Sequence, residues 1–182
     1  MKMLKIYIGI IFPLVLICFC FIISGNVTMG YSGFGIDSSD TLYIGTDTAI
    51  EKYDDGKKVG EINPQTSRGY VFTIQNDTIL LSTASYVYNI GLDGTVISKE
   101  EETSTKTFNK IQREKNCFVA SDGKEYNFKS FFGRCYIEDN AGTVIYKMPL
   151  LDYIVKVILG LVEISVFICV PIIVYKMRKV NK

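Results

Sequence analysis

Hydrophobic positions along this chain follow one pattern at its two ends and another between them. Residues 6–24 form a run of 19 residues without a charge, and residues 153–175 form a run of 23 with only Lys156 and Glu163 charged. About 20 apolar residues in a helix span the hydrocarbon of a bilayer. The pattern therefore predicts two transmembrane α-helices, over residues 6–24 and 153–175.

The central segment, residues 25–152, alternates apolar and polar residues in short runs separated by turn residues. Such alternation is typical of β-strands with one buried face, and no helical periodicity extends beyond about two turns. The segment has 128 residues, which is enough for one domain with its own core. We therefore expect an all-β domain flanked by the two helices.

Parts of this segment resemble one another. Residues 40–46 (DTLYIGT) match 77–83 (DTILLST), and each continues through a second predicted strand, 49–53 or 86–90, into an Asp-Gly turn. Residues 94–99 (GTVISK) return as 142–147 (GTVIYK). These matches predict three repeats, at about residues 33–62, 69–99 and 116–147. The polar run at residues 100–106 is expected to be a loop before the third repeat.

Short strands that recur with a period near 40 residues are a pattern of propeller blades. The succession of an alternating strand, an Asp-Gly or Ala-Gly turn and Thr-Val-Ile resembles the outer hairpin of blades in NHL-like and lactonase-like propellers. This resemblance covers residues 33–147. Closed propellers have at least about four blades. Three units therefore imply an open fan capped by its own loops, or two copies that meet as a six-bladed ring.

The distribution of charge predicts a topology. Basic residues lie in both terminal tails, residues 1–5 and 176–182, whereas residues 25–152 carry 13 basic and 18 acidic side chains. Short cationic flanks stay in the cytoplasm. We expect a cell-membrane protein with both termini cytoplasmic, an extracytoplasmic central domain and the lipid bilayer as a partner. A cleaved signal peptide is the alternative for residues 6–24.

The composition restricts the available chemistry. The chain contains no His and no Trp, and without His the Ser-His-Asp, Cys-His and most zinc sites are absent. Residues 37–40, 53–56 and 139–142 gather oxygen ligands in turns but lack the spacing of a calcium loop, so we expect simple turns. We find no catalytic residues, no metal site and no cofactor site. The acidic central segment also disfavours nucleic-acid binding.

Individual residues suggest further features. Cys117 and Cys135 lie in the central segment, and they form either a disulfide or two neighbouring core thiols. Glu163 lies near the middle of the second predicted span, where an ionisable residue normally faces a partner. We expect it to mediate helix association, with a role in transport as the alternative. Aromatic residues of the strands form either core contacts or a ligand platform: Tyr43, Tyr53, Tyr70, Tyr86, Tyr88, Tyr126, Tyr136, Phe128, Phe131 and Phe132.

Two classes of function are compatible with these observations. The first is a membrane-anchored binding, sensor or accessory-subunit module that is not an enzyme and meets a protein partner or a second copy of itself. The second is a membrane-tethered hydrolase or lyase that depends on carboxylates. No acid/base pair stands out in the sequence, so the first class is preferred.

Overall fold

The computed structural model of the chain describes residues 9, 11–64, 66 and 69–180. The chain divides into two compact units, one spanning Thr28–Met148 and the other combining the chain up to Val27 with the chain from Pro149 onwards. The predicted N-terminal tail, residues 1–5, lies outside the described residues. Residues 6–8 and 10 of the first predicted span and residues 181–182 of the predicted C-terminal tail also lie outside them.

Three helices occur in the described residues: α1 (Phe12–Ile23), α2 (Lys106–Glu114) and α3 (Leu150–Val180). α1 has 12 residues, a length of about 18 Å, which is short of the hydrocarbon thickness of about 30 Å. α3 has 31 residues, and its first half carries Asp152, Lys156 and Glu163.

Within the described residues, no helix combines the length and the apolar character that a bilayer crossing needs. The expectation of transmembrane helices over residues 6–24 and 153–175 is therefore wrong. The predicted two-span topology, with cytoplasmic termini and an extracytoplasmic centre in the cell membrane, is corrected on the same ground.

The Thr28–Met148 unit contains three four-stranded antiparallel sheets in which the strands follow sequence order. Sheet 1 consists of β1 (Gly33–Ile36), β2 (Leu42–Gly45), β3 (Ile50–Asp54) and β4 (Lys57–Ile62). Sheet 2 consists of β5 (Val71–Gln75), β6 (Thr78–Ser82), β7 (Tyr86–Gly91) and β8 (Val96–Glu101). Sheet 3 consists of β9 (Cys117–Val119), β10 (Glu125–Phe131), β11 (Arg134–Asp139) and β12 (Val144–Lys147).

The expected fold class, an all-β domain between two membrane helices, is thus corrected to three antiparallel sheets accompanied by three helices in the described chain. α2 lies between β8 and β9 and begins at Lys106, the last residue of the loop predicted at residues 100–106. Of that run, Glu100 and Glu101 belong to β8, and residues 102–105 are neither helix nor strand. The helix was missed because its nine residues form only about two and a half turns, near the limit at which helical periodicity can be recognised.

Tight turns between neighbouring strands follow from residues that accept a positive φ. Asp55 and Gly56 join β3 to β4 with φ values of 45° and 70°. Asn76 and Asp77 join β5 to β6 with φ values of 50° and 54°. Two successive residues with positive φ form the hairpin turn that matches the twist of antiparallel strands. Asn, Asp and Gly accept this conformation most readily.

The turn after the second strand of sheets 1 and 2 is stabilised by a threonine hydroxyl. Thr46 Oγ1 donates to the Ala49 carbonyl at 2.9 Å and accepts the Ala49 N–H at 3.1 Å. Thr83 makes the same two contacts with Tyr86, at 3.1 and 3.0 Å. The hydroxyls give the Ala49 and Tyr86 N–H groups an acceptor within the turn. The two carbonyls also accept the backbone N–H groups of Thr46 and Thr83, each at 2.8 Å.

One hydrophobic core joins the three sheets. Its most buried side chains include Phe34, Ile50, Phe72, Ile79 and Ile137. The first strand of each sheet lies at the centre, and β1 contacts both β5 and β9. Because the first strands meet while the last strands face outwards, β1 is buried throughout and β8 is largely exposed.

Glycines allow β1 to approach β5 closely, and we call this contact the β1–β5 seam. A Cβ atom at Gly33 would lie 2.7 Å from the Phe72 carbonyl oxygen, and one at Gly35 would lie 2.8 Å from Ile74 Cγ1. Side chains do not tolerate contacts this short. The Phe72 N–H also donates to the Ser32 carbonyl at 3.3 Å across the seam.

Candidate binding cleft

A cleft of about 680 Å³ lies where β5, α2 and β9 meet. Its floor contains the aromatic rings of Phe34, Phe72 and Phe118, one from the first strand of each sheet. The Phe34 and Phe118 ring centroids are 6.1 Å apart in a tilted arrangement. The volume is in the range of small-molecule pockets, so the cleft is large enough to bind a ligand.

α2 forms one wall of this cleft. It packs against β5 and β6, and Ile111 is its buried residue. Its first turn is held by Glu102, whose carboxylate accepts the Thr107 N–H at 3.1 and 3.3 Å. These hydrogen bonds lower the pKa of Glu102, since they favour the ionised form. Thr105, the N-cap residue of α2, makes no capping hydrogen bond with its side chain. Glu102 therefore caps the helix in its place.

Basic residues surround the mouth of the cleft. Lys110 and Arg113 of α2 are exposed, and Lys115 follows the helix. Glu114 is the acidic residue among the described lining residues. Three cations with one carboxylate give the rim a net positive charge, and an apolar floor beneath it strengthens their attraction for an anion.

Tyr31 fixes the position of Lys115. The Tyr31 hydroxyl donates to the Lys115 carbonyl at 2.6 Å, and Lys115 Nζ lies 5.5 Å from the centroid of the Tyr31 ring. That ring also stacks on Phe128 at a centroid distance of 3.8 Å. Burial raises the pKa of Tyr31 far above its usual value, so the hydroxyl stays a donor. The rim is therefore anchored to sheet 3.

β9 contributes a strand edge to the cleft. It is the terminal strand of sheet 3 in the described chain. Asn116 and Ala120, which flank Cys117–Val119, form hydrogen bonds across this pair of strands. The Phe128 N–H donates to the Asn116 carbonyl at 2.8 Å, and the Ala120 N–H donates to the Lys124 carbonyl at 2.9 Å. Antiparallel pairs alternate between bonded and non-bonded positions. The backbone groups of Cys117 and Val119 consequently point away from β10.

A second cavity extends the cleft along β9, and we call the two together the groove. This cavity has a volume of about 360 Å³ and shares Ile74, Gln75, Phe118 and Val119 with the cleft. Asp77 lies at this far end, where it accepts the Ser38 N–H at 2.9 Å and the Ser38 hydroxyl at 2.8 Å. Both hydrogen bonds lower the pKa of Asp77. The groove is thus basic near α2 and acidic at its other end.

The turn carboxylates considered as calcium ligands hydrogen-bond to backbone N–H groups instead. Asp37 accepts from Ser39 and Thr41, each at 2.9 Å. Asp139 accepts from Ala141 at 2.9 Å and from Thr143 at 2.7 Å. Among the residues that the structure describes, no group of three or more acidic or cysteine side chains is placed to hold a metal ion.

Another cavity, of about 670 Å³, lies between sheets 1 and 3 and carries several carboxylates. Its lining includes Asp40, Asp54, Asp55 and Asp139 together with Lys124. Tyr53, which also lines the cavity, has a pKa raised by burial and by the nearby Tyr146 and Glu51. Its hydroxyl therefore donates to Glu51 at 2.8 Å rather than ionising. Four carboxylates and one lysine give this lining a net negative charge.

The structure does not bring Cys117 and Cys135 together. Both are free thiols, in β9 and β11, with β10 between these strands. Cys117 is opposite Asn127 and Cys135 is opposite Ser130. Cross-strand partners share a face and neighbouring residues alternate, so the two thiols are on opposite faces of sheet 3. Their disulfide stays a prediction, and Cys117 is instead part of the cleft wall.

Glu163 lies in α3 and is exposed. Its role in helix association, or alternatively in transport, stays a prediction.

The aromatic residues considered as a platform are dispersed. Tyr43, Tyr53, Tyr70 and Tyr126 are buried in the core. Phe131 and Phe132 are exposed at the turn between β10 and β11, where Phe132 has a φ of 48°. These residues do not form one surface.

The cleft itself was not predicted. Its floor comes from three distant phenylalanines that the sequence presents as ordinary strand residues. Phe108 and Ile111, spaced by three residues before a basic segment, were the available signal for α2.

No protein-family model and no curated protein matches this chain. One solved structure, a protein of unknown function from Bacteroides caccae, is similar over 66% of this chain with 13% sequence identity and a TM-score of 0.32. The chain spans about half of that protein, 46% of its length.

Proposed function

We propose that the Thr28–Met148 unit is a binding module that captures an apolar, anionic ligand in the cleft and acts by binding rather than by catalysis. The observation that carries this proposal is the combination of an aromatic floor with a rim of Lys110, Arg113 and Lys115. Apolar walls with a few placed polar groups are typical of ligand sites.

The two parts of the cleft have different roles in this proposal. The exposed Val119 offers apolar surface to the apolar part of the ligand, above a base formed by the largely buried rings of Phe34, Phe72 and Phe118. Removal of such exposed apolar surface from water is favourable. The cations of the rim attract its negative group and orient it. Because Lys110 and Arg113 are exposed, their contribution is screened by salt.

Anilinonaphthalene sulfonate tests the proposal, because it combines an aromatic body with one anionic group. We expect it to bind the full-length chain with increased fluorescence and to protect Cys117 from iodoacetamide, as followed by mass spectrometry of the Cys117 peptide. The variant Lys110→Glu/Arg113→Glu should weaken the interaction about fivefold, since each exposed ion pair contributes up to about 1 kcal/mol.

The matched control is Lys57→Glu/Lys106→Glu, which changes the net charge equally but leaves the cleft lining intact. It should bind the dye as the unmodified chain does. Equal affinity for both double variants, or alkylation of Cys117 at the same rate with and without the dye, would contradict the proposed function.

A further inference from the structure

The groove has the properties of a site for an extended peptide, and this inference rests on the binding function proposed above. We propose that the ligand is an acidic peptide that adds to sheet 3 as a strand beside β9. Its acidic residues lie at the α2 end of the groove. Strand addition to an exposed sheet edge is a general mode of peptide recognition.

The edge of β9 offers the hydrogen-bonding groups that a strand requires. The register with β10 directs the N–H and C=O groups of Cys117 and Val119 away from sheet 3 and towards the groove that both residues line. The corresponding edge of β5 faces β1, because the Phe72 N–H donates to Ser32 across the seam. Among the three central strands, β9 is therefore the one that can accept a new neighbour.

The shape of the groove also fits an extended chain. The cleft and the second cavity share Phe118 and Val119, so the open space follows the direction of β9 rather than forming a round pocket. A strand advances about 3.3 Å per residue, and β9 with its flanking residues could pair with about four to six residues. Val119 is exposed and lines both cavities, so its side chain offers the peptide an apolar contact.

The charges along the groove select the composition and the orientation of the peptide. Lys110, Arg113 and Lys115 attract carboxylates at one end, whereas Asp77 at the other end repels them. The lowered pKa of Asp77 keeps its charge at neutral pH. Complementary charges suppress the reversed orientation, because like charges placed together are unfavourable.

The experiment uses peptides, so that the protein itself is unchanged. The probe is Gly-Val-Thr-Val-Glu-Glu with a neutral fluorophore, and its binding to the full-length chain is followed by fluorescence anisotropy. Two further peptides carry N-methyl groups on alternate residues, one set on the odd positions and the other on the even positions. A paired strand directs alternate N–H groups to its neighbour.

We expect one N-methylated peptide to bind at least fivefold more weakly than the other, since each lost hydrogen bond accounts for about a fivefold change. Replacing both Glu residues of the probe by Gln should weaken binding about fivefold, and raised ionic strength should act in the same direction. The Lys110→Glu/Arg113→Glu variant should lose its preference for the Glu peptide over the Gln peptide.

Equal loss with both N-methylated peptides would overturn strand addition, because side-chain recognition alone has no such alternation. Absence of peptide binding by a chain that still binds the dye in the cleft would overturn the peptide inference while the proposed function stands. Absence of binding by both probes would overturn both.

Discussion

Sheet 2 approaches sheet 1 closely but leaves an open groove towards sheet 3. Between sheets 1 and 2, two of the four residues of β1, Gly33 and Gly35, lack a side chain, and Phe72 and Ile74 of β5 fill the space. Between sheets 2 and 3, Ile74 and the bulky Phe118 both border the open groove. The same kind of central strand is therefore closed against its neighbour in one place and accessible in the other.

This difference shows how small residues determine where a site forms. A strand that presents glycine can be packed by backbone and leaves no room for a ligand. A strand that presents an aromatic residue holds its neighbour at a distance, and the helix α2 then lines the space that remains. Binding capacity in this unit thus depends on where the packing stays incomplete.

We expect the largest effect on stability from truncation of the buried aromatic side chains Phe72 and Phe118. Phe72→Ala should lower the free energy of unfolding by about 3–5 kcal/mol, since Phe72 is fully buried and its loss leaves a cavity. Phe118→Ala should cost about 1–2 kcal/mol less, because Phe118 is less completely buried than Phe72 and borders both cavities of the groove. Chemical denaturation followed by circular dichroism measures both, and equal losses would contradict the distinction.

The close approach of backbones at the β1–β5 seam predicts that an added methyl group there lowers stability by a smaller amount. Gly35→Ala should destabilise the unit by about 1–3 kcal/mol, because the added Cβ would lie 2.8 Å from Ile74 Cγ1 and 3.1 Å from the Ile74 nitrogen. The control is Gly60→Ala in β4, where the nearest atom, Lys52 Cδ, is 3.8 Å away. Denaturation midpoints should fall for the first variant and stay or rise for the second. The reverse order would exclude the proposed role of Gly35.

The smallest effect concerns the polar contact between Ser38 and Asp77, which joins sheets 1 and 2. The folded pKa of Asp77 lies below the usual value of 3.8. Its stabilising contribution is therefore present above the unfolded pKa and is lost as the pH falls through the folded pKa. Asp77→Asn should be less stable than the unmodified chain at about pH 7, and the difference should narrow at about pH 3.

Ser38→Ala serves as the partner in a double-mutant cycle with Asp77→Asn, because it removes the hydroxyl donor and keeps the backbone N–H. The two substitutions should be less than additive at neutral pH. Strict additivity, or a difference that does not change with pH, would show that this contact contributes nothing.

Local patterns in the sequence were sufficient to predict several strands. The strands expected at residues 49–53 and 86–90 are confirmed as Ile50–Asp54 and Tyr86–Gly91. The turn at Asp55 and Gly56 has the positive φ values that its residues favour. Alternation and turn chemistry depend on neighbours in the chain, and such features can be recognised without knowledge of the packing.

Features that depend on packing could not be predicted in the same way. Hydropathy alone indicated two bilayer crossings, whereas no helix of the described residues is long and apolar enough for one. The cleft depends on Phe34, Phe72 and Phe118, which are separated by about 40 residues each and meet only after the sheets assemble. The exposed edge of β9 depends on a register that the sequence does not specify.

Because every sheet is built from four strands that are consecutive in the chain, each hydrogen-bonded ladder can form from residues that are close in sequence. Contacts of this kind form early, and contacts distant in sequence form late. We expect hydrogen exchange during refolding to protect the ladders before the β1–β5 seam closes. The groove would then be the last part of the unit to take shape, after its three walls already exist.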